Sequence, residues 1–264
     1  MQKFARHIIV PLARKRAWKR FCEIGASTGL STDEILKLPN ISYTILDPCL
    51  DADLSLKYTN DPRVTVHKRN SLDALPDLEA PEDLSATFDC ILIDGDHNWY
   101  TVFNELRLIR ERPLLKPGGM IFFHDVGRPY GRRDMYYQPE TVPAEFRQPY
   151  ERKGIVRGQN KLADSEGSNR IHFNAVREGG PRNGVLTAIE DFVAAHPSDY
   201  HFTRIKAQYG LGILQYRSKL SSEDLAFLRL RLSAIRHSIF GPLKSSPAHS
   251  LRKAFRSISR RLKK

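Results

Sequence analysis

Two clusters of acid and imidazole groups stand at the ends of apolar runs. The run Phe88 to Ile93 closes on Asp94-Gly95-Asp96-His97, and the run Met120 to Phe123 closes on His124-Asp125. Ionisable side chains in such places are not there for packing, because a buried charge is costly unless it is paired. Asp94 ends a nearly continuous apolar run and is therefore a candidate functional residue. His97 is a candidate base, or else a first-turn helix residue bonded to a neighbouring acid. Asp96 is better placed as the N-cap or first-turn acid of the helix that follows.

A third cluster lies near the start of the chain. Glu23-Ile24-Gly25-Ala26-Ser27-Thr28-Gly29 follows an apolar run, and Asp47 ends the next one, 22 residues after Gly25. A glycine-bearing turn between a first strand and a first helix lies where α/β sheets bind ligands. An acid closing the second strand can accept hydrogen bonds from ribose hydroxyls. A dinucleotide fingerprint begun at Gly25 would need glycine where Ser27 and Leu30 stand, and no Lys-Ser/Thr follows to make a P-loop. The fitting ligand is a nucleoside without a pyrophosphate; the plain alternative is a tight strand-to-helix turn.

For these clusters to meet, the elements between them must build one sheet. Arg20–Gly25, Ile41–Asp47, Arg63–His67, Phe88–Asp94 and Met120–His124 read as strands, and 30–38 and the segment from Trp99 to Ile109 as helices. Strands alternating with helices imply right-handed crossovers and a parallel sheet, which brings all the carboxyl ends to one rim. Residues 126–182 break the rhythm: twelve of these 57 are Gly or Pro, so the stretch is expected to be an insertion with a task of its own. A helix from Val185 to Pro197 and an antiparallel strand pair, 200–207 and 209–216, turning at about Gln208, complete the body. Arg128, Arg132, Arg133 and Asp134 follow the fifth strand, where they either grip an acidic acceptor or form a salt-bridged loop.

The chain carries a net charge of +12 over 264 residues. Residues 1–20 and 241–264 hold fifteen Lys/Arg and no acid, so the remaining 27 basic residues face all 30 acids and the body carries −3. The overall basicity therefore does not argue for nucleic acid. The three cysteines, Cys22, Cys49 and Cys90, fit a reducing compartment rather than a disulfide framework. The N-terminal segment lacks a secretory signal pattern and leaves a mitochondrial presequence open. In the tail, Leu251, Ala254, Phe255, Ile258 and Leu262 form one helical stripe amid Arg and Lys. That pattern suits peripheral contact with an anionic membrane through 243–264, or a solvated tail.

The E-I-G-x-x-x-G turn with Asp47 resembles the class I S-adenosylmethionine (SAM)-dependent methyltransferases. I-D-G-D-H at 93–97 with P-G-G-x-x-x-F-H-D at 117–125 resembles their small-molecule and sugar O-methyltransferase branch. The resemblance implies an α/β fold: a Rossmann-like, seven-stranded, mostly parallel sheet with an antiparallel last strand, helices on both faces and an inserted cap. Its implied parts are a basic segment 1–19, a SAM-dependent domain 20–217 with the cap at 126–182, and a helical C-terminal segment 218–264. It implies SAM contacts at Glu23, Gly25, Ser27, Gly29, Asp47, Ser71, Leu72 and Asp94, and catalytic roles for His97 and Asp94. It further implies a divalent cation, Mg²⁺ or Mn²⁺, at Asp94, His124 and Asp125. His124 stands where metal-binding relatives carry an oxygen ligand, which disfavours Mg²⁺ and leaves a softer ion or none. The implied function is O-methylation of a small molecule or glycan by a cytoplasmic, or membrane-associated, enzyme. Rivals are an RNA methyltransferase using the basic ends, though the N/D-P-P-Y/F motif is absent, and a non-catalytic SAM- or glycan-binding module.

Overall fold

The computed structural model describes residues 1–78, 87–219, 221–224, 226–228 and 230–231. Its strands in chain order are β1 (Arg20–Ile24), β2 (Ser42–Leu46), β3 (Val64–His67), β4 (Phe88–Ile93), β5 (Leu115–His124), β6 (Met135–Tyr136), β7 (Tyr150–Glu151), β8 (Phe173–Ala175), β9 (Tyr200–Ile205) and β10 (Leu211–Tyr216). Its helices are α1 (Gln2–Phe4), α2 (Val10–Arg16), α3 (Leu30–Ile35), α4 (Ala52–Thr59), α5 (Ser71–Ala74), α6 (Trp99–Glu111) and α7 (Val185–Ala195). A π-helical run, Ala5–Ile9, joins α1 to α2.

The main sheet has the order β3-β2-β1-β4-β5-β10-β9. The first five strands pair in parallel, and β10 runs antiparallel to both β5 and β9. This is the expected seven-stranded arrangement with an antiparallel last strand. Because successive side chains in a strand face opposite ways, each central strand feeds two cores. Phe21, Cys90, Leu92, Met120 and Phe122 pack on one face with α2 and α3. Cys22, Ile24, Ile91, Ile93, Ile121 and Phe123 pack on the other with α6 and α7. A strand buried on both faces is expected to be apolar, as β4 is but for Asp89, whose carboxylate accepts from the backbone N–H groups of Lys19 and Arg20.

Two features depart from the sequence reading. Pro117-Gly118-Gly119 does not end a turn before the fifth strand. It is a bulge within β5, whose pairing with β4 starts at Leu115, shifts register, and resumes at Met120. The basic segment at the start is helical and buries Phe4, Ala5, Ile8, Ile9 and Leu12 in the first core, while Arg6, Arg14 and Lys15 stay exposed. The spacing of those apolar residues marks a helix face, which the surrounding charge obscures.

The insertion folds as a small antiparallel sheet, β6-β8-β7. Buried Asp134 ties it to the body by accepting from the backbone N–H groups of Trp99 (2.8 Å) and Gly184 (2.6 Å), the starts of α6 and α7, and from the Tyr136 hydroxyl. Among the described residues, no helix is long and apolar enough to cross a membrane. The tail stripe and the membrane contact expected through 243–264 lie outside the described residues.

Candidate active site

The strand ends gather on one rim, joined by backbone hydrogen bonds. Asp47 N–H donates to His67 O (3.1 Å), Gly25 N–H to Leu46 O (3.0 Å) and Asp94 N–H to Ile24 O (2.9 Å). Gly25, Asp47 and Asp94 thus lie side by side over β1, β2 and β4, the place where strand order reverses and a crevice opens.

Gly25 has φ +83°, and a Cβ there would lie 2.6 Å from Asp94 O and 2.5 Å from Gly95 N. The glycine lets two loops touch, which draws Asp94 against the first turn. Gly29 (φ +73°) is required for a different reason: Tyr58 presses on it, donating from its hydroxyl to Gly29 O at 3.0 Å. Ser27 adopts φ +49°, a left-handed conformation that costs a non-glycine residue about 1–2 kcal/mol. The turn it makes aims its N–H at Asp47 Oδ2 (2.8 Å), while Cys49 N–H donates to Oδ1 (2.8 Å). Each oxygen of Asp47 keeps a further lone pair for a ligand hydroxyl.

Glu23 lies fully buried beneath this turn. Its Oε2 accepts from Thr32 (2.5 Å) and Tyr43 (2.8 Å), and its Oε1 has no partner. Burial pushes its pKa up to about 7 against the pull of those hydroxyls. Ser71, the first residue of α5, turns its hydroxyl onto buried Glu105 of α6 (2.5 Å), and Leu72 is half-buried on the same turn. The Ser71 hydroxyl is therefore engaged with a carboxylate. Burial raises Glu105 to about 8.

Glu105, Glu23 and Asp134 (also raised by burial, to about 7) share one thermodynamic consequence. Between an ordinary carboxyl pKa of about 4 and these values the folded state holds more protons than the unfolded one, so stability falls as pH rises. Urea midpoints should decline from pH 5 to 8. Glu105→Gln keeps an acceptor for Ser71 but cannot ionise; it should be about 1–3 kcal/mol more stable than the parent at pH 8 and gain nothing at pH 4.5. Equal midpoint shifts at both pH values would contradict this.

The second half of the rim carries the imidazoles. His97 Nε2–H donates to Asp125 Oδ2 at 2.7 Å, while its Nδ1 is buried without a partner. Burial pushes the His97 pKa down, but the hydrogen bond and charge of Asp125, with Asp94 and Asp96, more than reverse this and leave it raised. His124 Nδ1 lies 3.0 Å from Asp94 Oδ1 and 3.3 Å from Asp125 Oδ2, and these carboxylates outweigh burial to raise it to about 9. Asp125 (φ +56°) is held well below the usual carboxylate range by the two imidazoles, against the effect of burial. Asp96 is neither the N-cap nor a first-turn acid as expected: Asn98 is the N-cap of α6, and Asp96, two residues before it, accepts from the side chains of Asn98 (2.6 Å) and Thr101 (2.8 Å) and so braces the cap.

A buried Nδ1 lone pair backed by a carboxylate on Nε2 is the arrangement of a general base and its orienting partner. Asp94, His124 and Asp125 place one ligand atom each within 4.8 Å of one another. Two carboxylates and one imidazole suit a borderline divalent ion such as Mn²⁺ or Zn²⁺ better than Mg²⁺.

Two cavities open on this centre. The smaller, about 270 Å³, is lined by His97, Asp125, Tyr130, Tyr137, Asn169 and His172 among others. The larger, about 540 Å³, is lined by Gln2, Lys3, His124, Gln208 and Tyr209, with Met1, whose α-amine lies 3.4 Å from Asp94. The sequence reading did not single out Tyr137, Asn169, His172 or Tyr209 as site residues. For Tyr137 and His172 the available signal was the aromatic content of the insertion, which the bridge from Met135 to the backbone of His97 and the bonds of Asp134 bring to the rim. The arginines proposed to grip an acidic acceptor are engaged elsewhere. Arg133 is fully buried and donates to Ala175 O and Asn160 O, Arg132 pairs with Glu190 (2.6 Å), and Arg128 with Glu178 (3.3 Å).

Residues 22–126, which span this rim, match the family model of a methyltransferase domain. No curated protein sequence matches the chain. Among solved structures it is similar to the SAH-bound methyltransferase PaMTH1 of Podospora anserina, with 16% identity over 79% of this chain and 76% of that one and a TM-score of 0.49. It is similar to a putative caffeoyl-CoA O-methyltransferase of Staphylococcus aureus (17% identity, 79% and 81% covered, TM-score 0.46). A further similar structure is the O-methyltransferase TomG of Streptomyces achromogenes in complex with SAM (16% identity, 80% and 78% covered, TM-score 0.47).

Proposed function

We propose, starting from the methyltransferase domain at residues 22–126, that this SAM-dependent methyltransferase acts on a hydroxyl of a small molecule or glycan, with His97 as general base. The single observation that carries the reading is the His97–Asp125 pair, with Nδ1 of His97 left without a partner and His97 among the residues lining the smaller cavity.

The residues present suit SAM. Asp47 offers remaining lone pairs to the ribose, the turn at Gly25 and Ser27 supports the methionine half from above buried Glu23, and Asp94 places negative charge near its cationic groups. When bound, SAM supplies a methyl carbon that the acceptor oxygen takes with its lone pair, while the carbon–sulfur bonding pair stays on sulfur. The chain has two tasks. One is to hold acceptor and methyl in line, which removes much of the entropic barrier. The other is to accept the hydroxyl proton at His97 Nδ1, and Asp125 stabilises the imidazolium so formed. The order of elements suits both tasks, because β4 and β5 deliver Asp94, His97 and Asp125 beside the turn from β1.

A second reading rests on the triad of Asp94, His124 and Asp125. Those residues would hold a divalent ion, which would lower the pKa of an acceptor hydroxyl. The two readings differ in their response to chelator.

The pH profile tests the base. His97 must be neutral to accept a proton, and its pKa is raised above 6.5. Activity should therefore rise with pH through a midpoint above 6.5. Asp125→Asn removes the main group that raises it, so the midpoint should move to lower pH and the plateau should fall by about 10²-fold. A flat profile from pH 5.5 to 8, or an unmoved midpoint in Asp125→Asn, would exclude this role.

A further inference from the structure

The two cavities share two walls, His124 and Tyr209. Tyr209 sits at the tip of the β9–β10 hairpin between Gln208 (φ +53°) and Gly210 (φ +91°), and its carbonyl accepts from Gly127 N–H at 2.6 Å. The tip is thereby fixed to the chain just after β5. The Tyr209 ring meets His124 edge-on at 6.0 Å, and across the mouth the Tyr137 ring meets His97 at 6.2 Å. Both tyrosines are more than half exposed, at 56% and 54%. Two rigidly mounted, solvent-facing aromatic rings flanking the reacting centre are platforms for a ring-shaped ligand, since an aromatic face packs well on the C–H face of a sugar while its hydroxyl bonds at the edge.

The polar groups sort the acceptor further. Among the described residues lining the smaller cavity there is no Lys or Arg, and Asp125 forms part of its floor. The imidazoles of His97 and His124 that also line it are already paired with Asp125 and Asp94, so a phosphate or carboxylate there would meet like charge and have to compete for cations already engaged. Tyr130 is buried beside His97 with ring centroids 5.2 Å apart, and its hydroxyl interacts with Asn169 of the same lining. The hydroxyls of Tyr130 and Tyr137 and the Asn169 amide on this wall suit a ligand bearing hydroxyls. The larger cavity instead offers Gln2, Gln208 and the Lys3 ammonium. At about 270 Å³ the first space holds one ring, and with about 540 Å³ beyond the shared wall the groove extends past a single unit.

We infer that the two cavities are two subsites of one acceptor groove, and that the acceptor is an uncharged oligosaccharide. The unit to be methylated lies against Tyr137 and His97, and its neighbour lies past Tyr209 against Gln2, Lys3 and Gln208. This deepens the O-methyltransferase reading and rests on it. The larger cavity then serves the acceptor rather than the methionine end of SAM.

The test uses the full chain with labelled SAM. The acceptor panel holds neutral gluco-, manno-, galacto- and rhamno-configured oligosaccharides of two to four units, their methyl monosaccharides, hexose 6-phosphates and catechol. Turnover is expected on a neutral oligosaccharide with kcat/KM at least about tenfold above its monosaccharide, a gain of the size one added ring contact supplies. Tyr209→Ala should raise the oligosaccharide KM about fivefold to tenfold, and Lys3→Ala should shrink the advantage of oligomer over monomer. Best turnover on catechol, on a phosphorylated sugar or on a monosaccharide would overturn the inference while leaving methyl transfer to oxygen intact. A Lys3→Ala effect confined to the KM for SAM would assign the larger cavity to the donor and overturn it as well. No turnover on any neutral oligosaccharide overturns it too, and SAM binding measured alongside shows whether the donor reading falls with it.

Discussion

His97→Ala should lower kcat by about 10²- to 10⁴-fold, the range that a positioned base supplies, while the dissociation constant for SAM changes less than about threefold. The reasoning is geometric. His97 lines the smaller cavity, its Nδ1 is buried without a partner, and its Nε2 is fixed by Asp125 at 2.7 Å. Removing the ring takes away a group that acts on the acceptor's proton and leaves the Gly25 turn and Asp47 in place. His97→Gln keeps a hydrogen-bonding side chain of similar reach without a basic nitrogen, so it should be as inactive as alanine. This separates proton transfer from mere positioning. Chelator on the parent enzyme should leave kcat within about twofold if the base route operates. If the metal held by Asp94, His124 and Asp125 activates the hydroxyl instead, chelator abolishes turnover, Mn²⁺ or Zn²⁺ restores it, and His97→Ala is mild.

Gly25→Ala should abolish SAM binding at concentrations up to millimolar, a loss of at least about 10²-fold against a micromolar binder. At φ +83° a side chain is strained before any neighbour is considered. Here the added Cβ would also lie 2.6 Å from Asp94 O and 2.5 Å from Gly95 N, both backbone atoms. Backbone cannot swing aside as a lysine tip can, so the first turn and the β4 loop must part. That displaces Ser27, whose N–H holds Asp47, and Asp94 together. The strain and clash together cost about 2–4 kcal/mol of stability. A thermal melt run beside the titration separates a folded chain that no longer binds from one that has unfolded. A folded Gly25→Ala chain with near-parental affinity would mean that SAM does not use this turn.

The fold and one half of the site were legible because their signals are local. β4 reads as FDCILI, apolar on both faces but for Asp89, and a run of that kind, followed at once by Asp-Gly-Asp-His, places its acids at a sheet rim without further information. The Gly25 turn and Asp47 are legible for the same reason, since a parallel sheet makes all strand ends neighbours. What stayed hidden depends on contacts distant in sequence. Gly29 reads as ligand-facing and is in fact pressed by Tyr58, from the far end of α4. Arg133 reads as gripping an acidic acceptor or as part of a salt-bridged loop, and is instead buried against the backbone of Ala175 and Asn160 of its own insertion. The N-terminal helix was masked by its charge and by Pro11, which falls where the helix passes from π to α geometry. The cap residues Tyr137 and His172 carry no period at all. Their place over His97 follows from β6 bridging to the His97 backbone and from Asp134 bonding to the start of α6.

The central claim is that SAM lies along the rim from Asp47 past Gly25 to Asp94, with its methyl turned toward His97. Calorimetric titration of the full chain with SAM, repeated on Asp47→Ala, tests it most directly. The expected result is one site of micromolar affinity in the parent and a loss of about 10- to 100-fold in the variant, as two ribose hydroxyl bonds to a carboxylate require. Absence of heat with the parent chain, or equal affinity in Asp47→Ala, would contradict it.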